Sequence, residues 1–198
     1  ISGNIDLSVG AVAALSSCVA VLTQPYVGFV PSLLAALAVS TALGLVNGLI
    51  VERLRLNSII VTLAMGTALH GLAFILFGSN TIVAKGSEYA DLGYLKIAGV
   101  SFSVILFLAL SVVIAGVLRF TVHGINTFAI GGHRQAALDA GINVQRHVLA
   151  NFCLSGFMAG VCGLLLVMSL GAGSATFAKD YELWAIIAVV LGGTRLRG

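Results

Sequence analysis

Five stretches of this chain run for sixteen to twenty-three residues without a single Asp, Glu, Lys or Arg: Leu7–Leu22, Pro31–Val51, Ser58–Phe77, Val100–Leu118 and Val148–Leu170. A helix needs about 20 apolar residues to cross a bilayer. A water-soluble globule of this length cannot hide five such stretches, because most of a small domain lies near its surface. With 59% hydrophobic and 9% charged residues and a mean hydropathy of +1.11, the chain lacks the polar side chains to cover an outside. Soluble domains carry about 25% charged residues. The reading is an all-α polytopic membrane protein, a bundle of about six transmembrane or partly spanning helices forming a single domain over 1–198. Twenty-four glycines against two prolines, with no triplet period, exclude collagen and disorder.

The second span has Pro31 as its first helical position and Arg53 and Arg55 just past its end. Between the third and fourth spans, Gly78–Gly99 is polar and is read as a loop with room for a short helix. The fifth span is expected to begin after Arg146 and His147. A sixth starts near Leu183, and Leu183–Leu191, about 14 Å of helix, cannot span alone, which suggests a broken or re-entrant element. Small residues four apart, Gly44 with Gly48 and Gly156 with Gly160, predict close helix contacts.

Lys and Arg concentrate in cytoplasmic loops. Arg53, Arg55, Arg119, Arg134 and Arg146 fall on one face, and Lys85, Lys96 and Lys179 on the other. This places 52–57 and 119–147 in the cytoplasm, and 78–99 and 171–180 outside; Arg195 and Arg197 stay uncounted. The basic residues form no stripe, so a pI near 9.0 reads as topology and no nucleic-acid partner is expected. Cys18, Cys153 and Cys162 read as packing residues, since the last two lie on opposite faces of one helix. Ile1–Val30 is not a signal peptide, and the chain reads as an internal segment.

The least ordinary stretch is 131–144, Gly-Gly-His-Arg-Gln-Ala-Ala-Leu-Asp-Ala-Gly-Ile-Asn-Val. Gln135–Ala140 has strong helix formers followed by Gly141, a surface helix with a glycine cap. It suits either docking into a groove on a soluble partner or lying on lipid. Asp6, the one acid attached to the first span, is open to two readings: a cap for the helix start near Ser8, or part of a translocation path. Asn47, Thr62 and His70 are polar within spans and either line a path or bond neighbouring helices. Tyr181 and Glu182 open the sixth element. His123, His133 and His147 are read as too dispersed for a metal site.

Three motifs in order, Ile5-Asp6-Leu7-Ser8-Val9-Gly10, the 131–144 segment, and Tyr181-Glu182-Leu183-Trp184 running on to Gly192-Gly193-Thr194, resemble the membrane permease subunit of bacterial ABC sugar importers of the ribose type. Permeases for branched-chain amino acids and for autoinducer-2 share parts of the pattern. The resemblance covers nearly the whole chain and implies its central portion, since such type II importer permeases have about ten spans. It further implies a second permease copy or homologue, two cytoplasmic ABC ATPase subunits holding ATP and Mg, a periplasmic or extracellular substrate-binding protein, and residence in the bacterial inner membrane. The cargo would be a small polar solute, with a monosaccharide as the leading expectation, moved by alternating access. The segment 119–147 would be the coupling loop, with Gly132, Ala136, Ala137, Ala140, Gly141 and Ile142 against the ATPase, and Glu182 would gain a role at the outer mouth.

His133 stands where the family usually has asparagine, Asn4 where glycine is common, and Arg195-Leu196-Arg197 where Ser-Leu and a small residue are usual. No Gly-x-x-x-x-Gly-Lys-Ser/Thr occurs, so ATP hydrolysis belongs to a partner and this chain needs no cofactor of its own. An intramembrane enzyme would need a nucleophile with its base, or a metal set, and neither is visible. A secondary transporter would be expected to carry paired intramembrane charges, and Asp6 stands nearly alone.

Overall fold

The computed structural model describes residues 2–193; Thr194, Arg195, Leu196 and Arg197 of the third motif lie outside them. The elements are α1 (Val9–Val27), α2 (Phe29–Leu54), α3 (Ser58–Phe77), β1 (Ile82–Val83), α4 (Glu88–Tyr94), β2 (Lys96–Ile97), β3 (Val100–Ser101), α5 (Phe102–Phe120), α6 (Val122–Gly132), α7 (Arg134–Asp139), α8 (Val144–Leu170), β4 (Ala172–Gly173) and α9 (Tyr181–Leu191). α1, α2, α3, α5 and α8 are long and apolar enough to cross a membrane. The chain is an all-α multi-pass membrane protein whose strands are two short antiparallel pairs.

Several boundaries move from those read in the sequence, each for a capping reason. One residue, Gly28, joins α1 to α2, and its φ of +88 makes the turn. Pro31 is therefore the third residue of α2, not the first, still among the N–H groups that have no intrahelical partner. α8 starts at Val144, where Asn143 accepts a hydrogen bond from Arg146 N, so Arg146 and His147 belong to its first turn. α5 continues to Phe120, with the Arg119 guanidinium 5.7 Å from the Phe120 ring. The stretch 119–147, read as one loop with a single helix, holds two, because Thr121 accepts from Gly124 N and starts α6.

α2 and α8 cross in close backbone contact. A Cβ on Gly44 would meet the Phe152 carbonyl, and one on Gly156 would meet the Ser40 carbonyl. Only glycine admits this approach of two backbones, as the spacing predicted. α1 is the most enclosed span, packed on α2, α3 and α8; α5 has no buried residue. At one end of the bundle Arg134 of α7 bonds Glu52 of α2. At the other, Ile82 pairs with Gly173 and Val83 with Ala172, while α4 plugs the bundle through Tyr89, which is fully buried and bonded to Ser32 Oγ (2.9 Å) and the Ala20 carbonyl (3.2 Å). The segments assigned to one side of the membrane thus meet each other, 52–57 with 119–147 and 78–99 with 171–180.

Candidate translocation site and coupling segment

Residues ahead of α1 are non-helical and run along α3. Ile5 N donates to Ser58 Oγ (3.2 Å) and Leu7 N to Thr62 Oγ1 (2.9 Å), and the Thr62 hydroxyl donates to the Ser58 carbonyl (2.8 Å). In a helix bundle a non-helical backbone must find partners outside itself, and these hydroxyls provide them. α1 then begins level with Gly66, where a Cβ would lie 3.2 Å from the Leu7 carbonyl. Gly66 is eight residues into α3, about 12 Å from its start. The same level holds Asn47, seven residues before the end of α2, and Ser155, eleven residues into α8. α1 therefore starts partway through the bundle rather than at its edge.

Four polar side chains converge there, two from the residues ahead of α1 and one each from α2 and α8. Asp6 Oδ1 accepts from Ser8 N (3.0 Å) and Ser8 Oγ (2.6 Å), and Oδ2 accepts from Ser155 Oγ (2.7 Å). Ser8 Oγ in turn accepts from Asn47 Nδ2 (2.8 Å). Of the two readings of Asp6, the cap takes an altered form: it bonds the residue before the helix and straps the entry to α8, while Ser8 leaves the first-turn N–H groups uncapped. Asn47 is fully buried, and its Oδ1 has no hydrogen-bond partner among the described residues. Thr62 is committed to the entry segment, and His70, half-buried on α3, is not part of the cluster. Ser155, which the sequence reading missed, is one of two serines in the apolar run Val148–Leu170.

α9 reaches the same level from the other side. A Cβ on Gly173 would lie 2.6 Å from the Ser17 carbonyl, and Ala175 packs with Ala11 and Leu15. Farther on, Ala178 and Glu182 meet α1 at Gly10: a Cβ there would lie 2.6 Å from the Ala178 carbonyl and would collide with Glu182 Oε2. The chain after β4 thus turns back along α1 from Ser17 to Gly10, about 10 Å, before α9 starts. The sixth span read in the sequence is the helix α9, eleven residues long among the described residues. Glu182, expected at the outer mouth, lies instead against the first turn of α1, because the non-helical residues between β4 and α9 carry it inward. Its Oε2 is buried with no partner among the described residues; Tyr181, beside it, is exposed.

In the coupling segment, His133 Nδ1 accepts from Ala136 N (3.1 Å) and caps α7, doing what an asparagine side chain does at that position. Gly141 has φ +81, which ends the helix as its sequence position predicted. One residue departs from the expected partner surface: Ala137 is 4% exposed and packs with Val51, Ile130, Val144, Val148 and Phe152 of this chain, with Ile142 lying on the same cluster. Ala137 therefore faces inward, for a six-residue helix lying on a bundle must bury one face. Gly132, Ala136, Leu138, Ala140 and Gly141 are exposed. Two histidines read as dispersed are in contact. Asn126 Nδ2 donates to His147 Nε2 (3.1 Å), His147 Nδ1 and His123 Nδ1 share a bond (2.9 Å), and His123 Nε2 lies 3.0 Å from Asn151 Oδ1. With Asn126 donating at one end and Asn151 accepting at the other, the chain closes when each ring carries one proton, on Nδ1 of His147 and Nε2 of His123.

Two helices, α1 and α9, thus begin inside the bundle, with the carboxylates of Asp6 and Glu182 and the amide of Asn47 gathered near those starts. The chain belongs to the family of the branched-chain amino acid transport system permease component, whose model matches residues 1–198. It is 36% identical over 198 residues to the L-arabinose ABC transporter permease protein of Azospirillum brasilense, covering 99% of this chain and 58% of the relative. It is 36% identical over 203 residues to the ribose import permease protein of Bacillus subtilis, covering 100% and 62%, and 29% identical over 197 residues to the D-allose transport system permease protein of Escherichia coli, covering 98% and 60%. The chain thus spans less than two thirds of the length of these relatives. No solved structure matches it.

Proposed function

We propose that this segment is the membrane core of a permease subunit of an ATP-driven importer that carries a monosaccharide across the bacterial inner membrane by alternating access. The observation that carries the reading is the meeting of two helix starts, α1 and α9, at mid-depth beside Asp6, Ser8, Asn47 and Glu182. Asn47 Oδ1 and Glu182 Oε2 are acceptors without donors, and a polyol supplies hydroxyl donors. The relatives named for arabinose, ribose and allose favour a sugar over the amino acid of the family's description. ATP and Mg belong to cytoplasmic ATPase partners, which dock on the exposed face of α7 at Ala136, Leu138 and Ala140, with Gly132 and Gly141 flanking it. A binding protein delivers the sugar at the face formed by α4 and the β1–β4 pair, and a second permease copy completes the path.

The test is uptake of labelled pentoses and hexoses into vesicles holding the full-length permease with its ATPase and binding protein. Asn47→Ala and Glu182→Gln should each lower ATP-dependent uptake roughly tenfold, equivalent to about 1.4 kcal/mol of lost interaction, with unchanged amounts of permease. Uptake that is indifferent to ATP, or an ATPase that never co-purifies, would overturn the reading; uptake of leucine in place of sugars would move the chain to the amino-acid branch.

A further inference from the structure

Arg134 and Glu52 each oppose the dipole of the helix that carries them. Arg134 is the first residue of α7, where a cation is disfavoured, and Glu52 lies in the last turn of α2, where an anion is disfavoured. Neither placement serves its own helix. Together they form a forked pair, with Arg134 Nη1 and Nη2 both 3.1 Å from Glu52 Oε1 and Nη2 2.8 Å from Oε2. The Glu52 side chain is only 5% exposed, against 51% for Arg134. A carboxylate buried to that degree is strongly destabilising without a cation, and the two-point geometry of a guanidinium fixes direction as well as distance. It is the sole salt bridge among the described residues.

Resting on the proposed function, we infer that Glu52 and Arg134 are positioning residues: their pair holds α7 at one fixed angle to α2, so that force applied to the exposed face of α7 by the ATPase reaches the transmembrane helices. The second attachment of α7, Ala137 in its apolar socket, sets depth; a single methyl group does not set rotation. From α2 the connection continues through the glycine crossing at Gly44 and Gly156 to α8, which carries Ser155 of the mid-depth cluster.

The variants are Arg134→Gln, Arg134→Lys, and the exchange Glu52→Arg with Arg134→Glu, which keeps the pair and sets each charge favourably for its own helix. In the reconstituted full complex, Arg134→Gln should lower sugar moved per ATP hydrolysed about fivefold, within the range for residues that modulate coupling between sites. Arg134→Lys should fall between, since an ammonium keeps the charge without the fork, and the exchange should return to within about twofold of the parent. In parallel, a nitroxide on Ala140→Cys in vesicles of the permease alone should become more mobile with Arg134→Gln and regain its order with the exchange. This second reading holds even if the cargo or the ATPase assignment fails. Unchanged label mobility in Arg134→Gln, or an exchange variant present at parental levels yet no better coupled and no better ordered than the single substitution, would overturn the inference.

Discussion

The residues that matter at the smallest scale are those joined by hydrogen bonds across helices. In the relay Asn126–His147–His123–Asn151 every ring nitrogen has a neighbour within hydrogen-bond distance, while Asn151 Nδ2 has none among the described residues, so replacing one ring strands its neighbours. His123→Phe keeps the stacked ring, now 4.9 Å from His147, but leaves the His147 Nδ1–H and the Asn151 amide without partners. A cost of about 1–3 kcal/mol is expected, read as a lower melting temperature in detergent, while His147→Phe with His123→Phe should cost less than the two single changes summed. Tyr89 gives a second check. Burial pushes its phenol above the ordinary value; the bond to Ser32 opposes this and the Glu88 charge adds to it. With the folded value raised, the neutral phenol's contribution is full below the unfolded value near pH 10 and is lost as pH climbs through the folded one. α4 should therefore loosen above about pH 10, and Tyr89→Phe should remove that alkaline sensitivity. None of these partnerships was legible in the sequence, where His123 and His147 stand twenty-four positions apart in a stretch read as loop. Distant pairing depends on how helices rotate, which spacing alone does not encode.

At the scale of elements, periodicity and punctuation served well where one helix could be judged alone. Ser58–Phe77 matches α3 at both ends, because Asn57 caps it and Gly78 stops it. The glycine pairs on α2 and α8 announced their crossing, and Gly44→Leu should prevent it, costing at least about 3 kcal/mol since the obstacle is backbone that cannot step aside. Less permease reaching the membrane would register this. Helix α7 shows where such reading stops: composition marked it as a surface helix, for docking or for lying on lipid, but could not say which alanine points inward. Ala137→Trp should therefore lower the amount of folded permease, having no room in the cluster of Val51, Val148 and Phe152. Ala140→Trp, on the exposed face, should leave that amount unchanged and weaken co-purification of the ATPase.

For the whole molecule, the arginine asymmetry predicts a sidedness and the structure groups the same loops at two ends, so Ala140→Cys and Lys85→Cys should react with an impermeant maleimide from opposite sides of sealed vesicles. Labelling of both from one side would overturn this topology and the proposed coupling role of 119–147 with it. What no span count conveys is that α1 and α9 start in the interior, because hydropathy registers the apolar content of Leu7–Leu22 and not the non-helical residues before it. That interior start also dictates an order of assembly. As the chain emerges from the ribosome, the entry segment at Ile5 and Leu7 comes first, yet its backbone partners, Ser58 and Thr62, are made some fifty residues later, and Ser155, which holds Asp6, a further ninety after that. Until they arrive, bare amides and a carboxylate cannot settle in hydrocarbon. The earliest part of this segment to be synthesised is consequently among the last to find its hydrogen-bond partners.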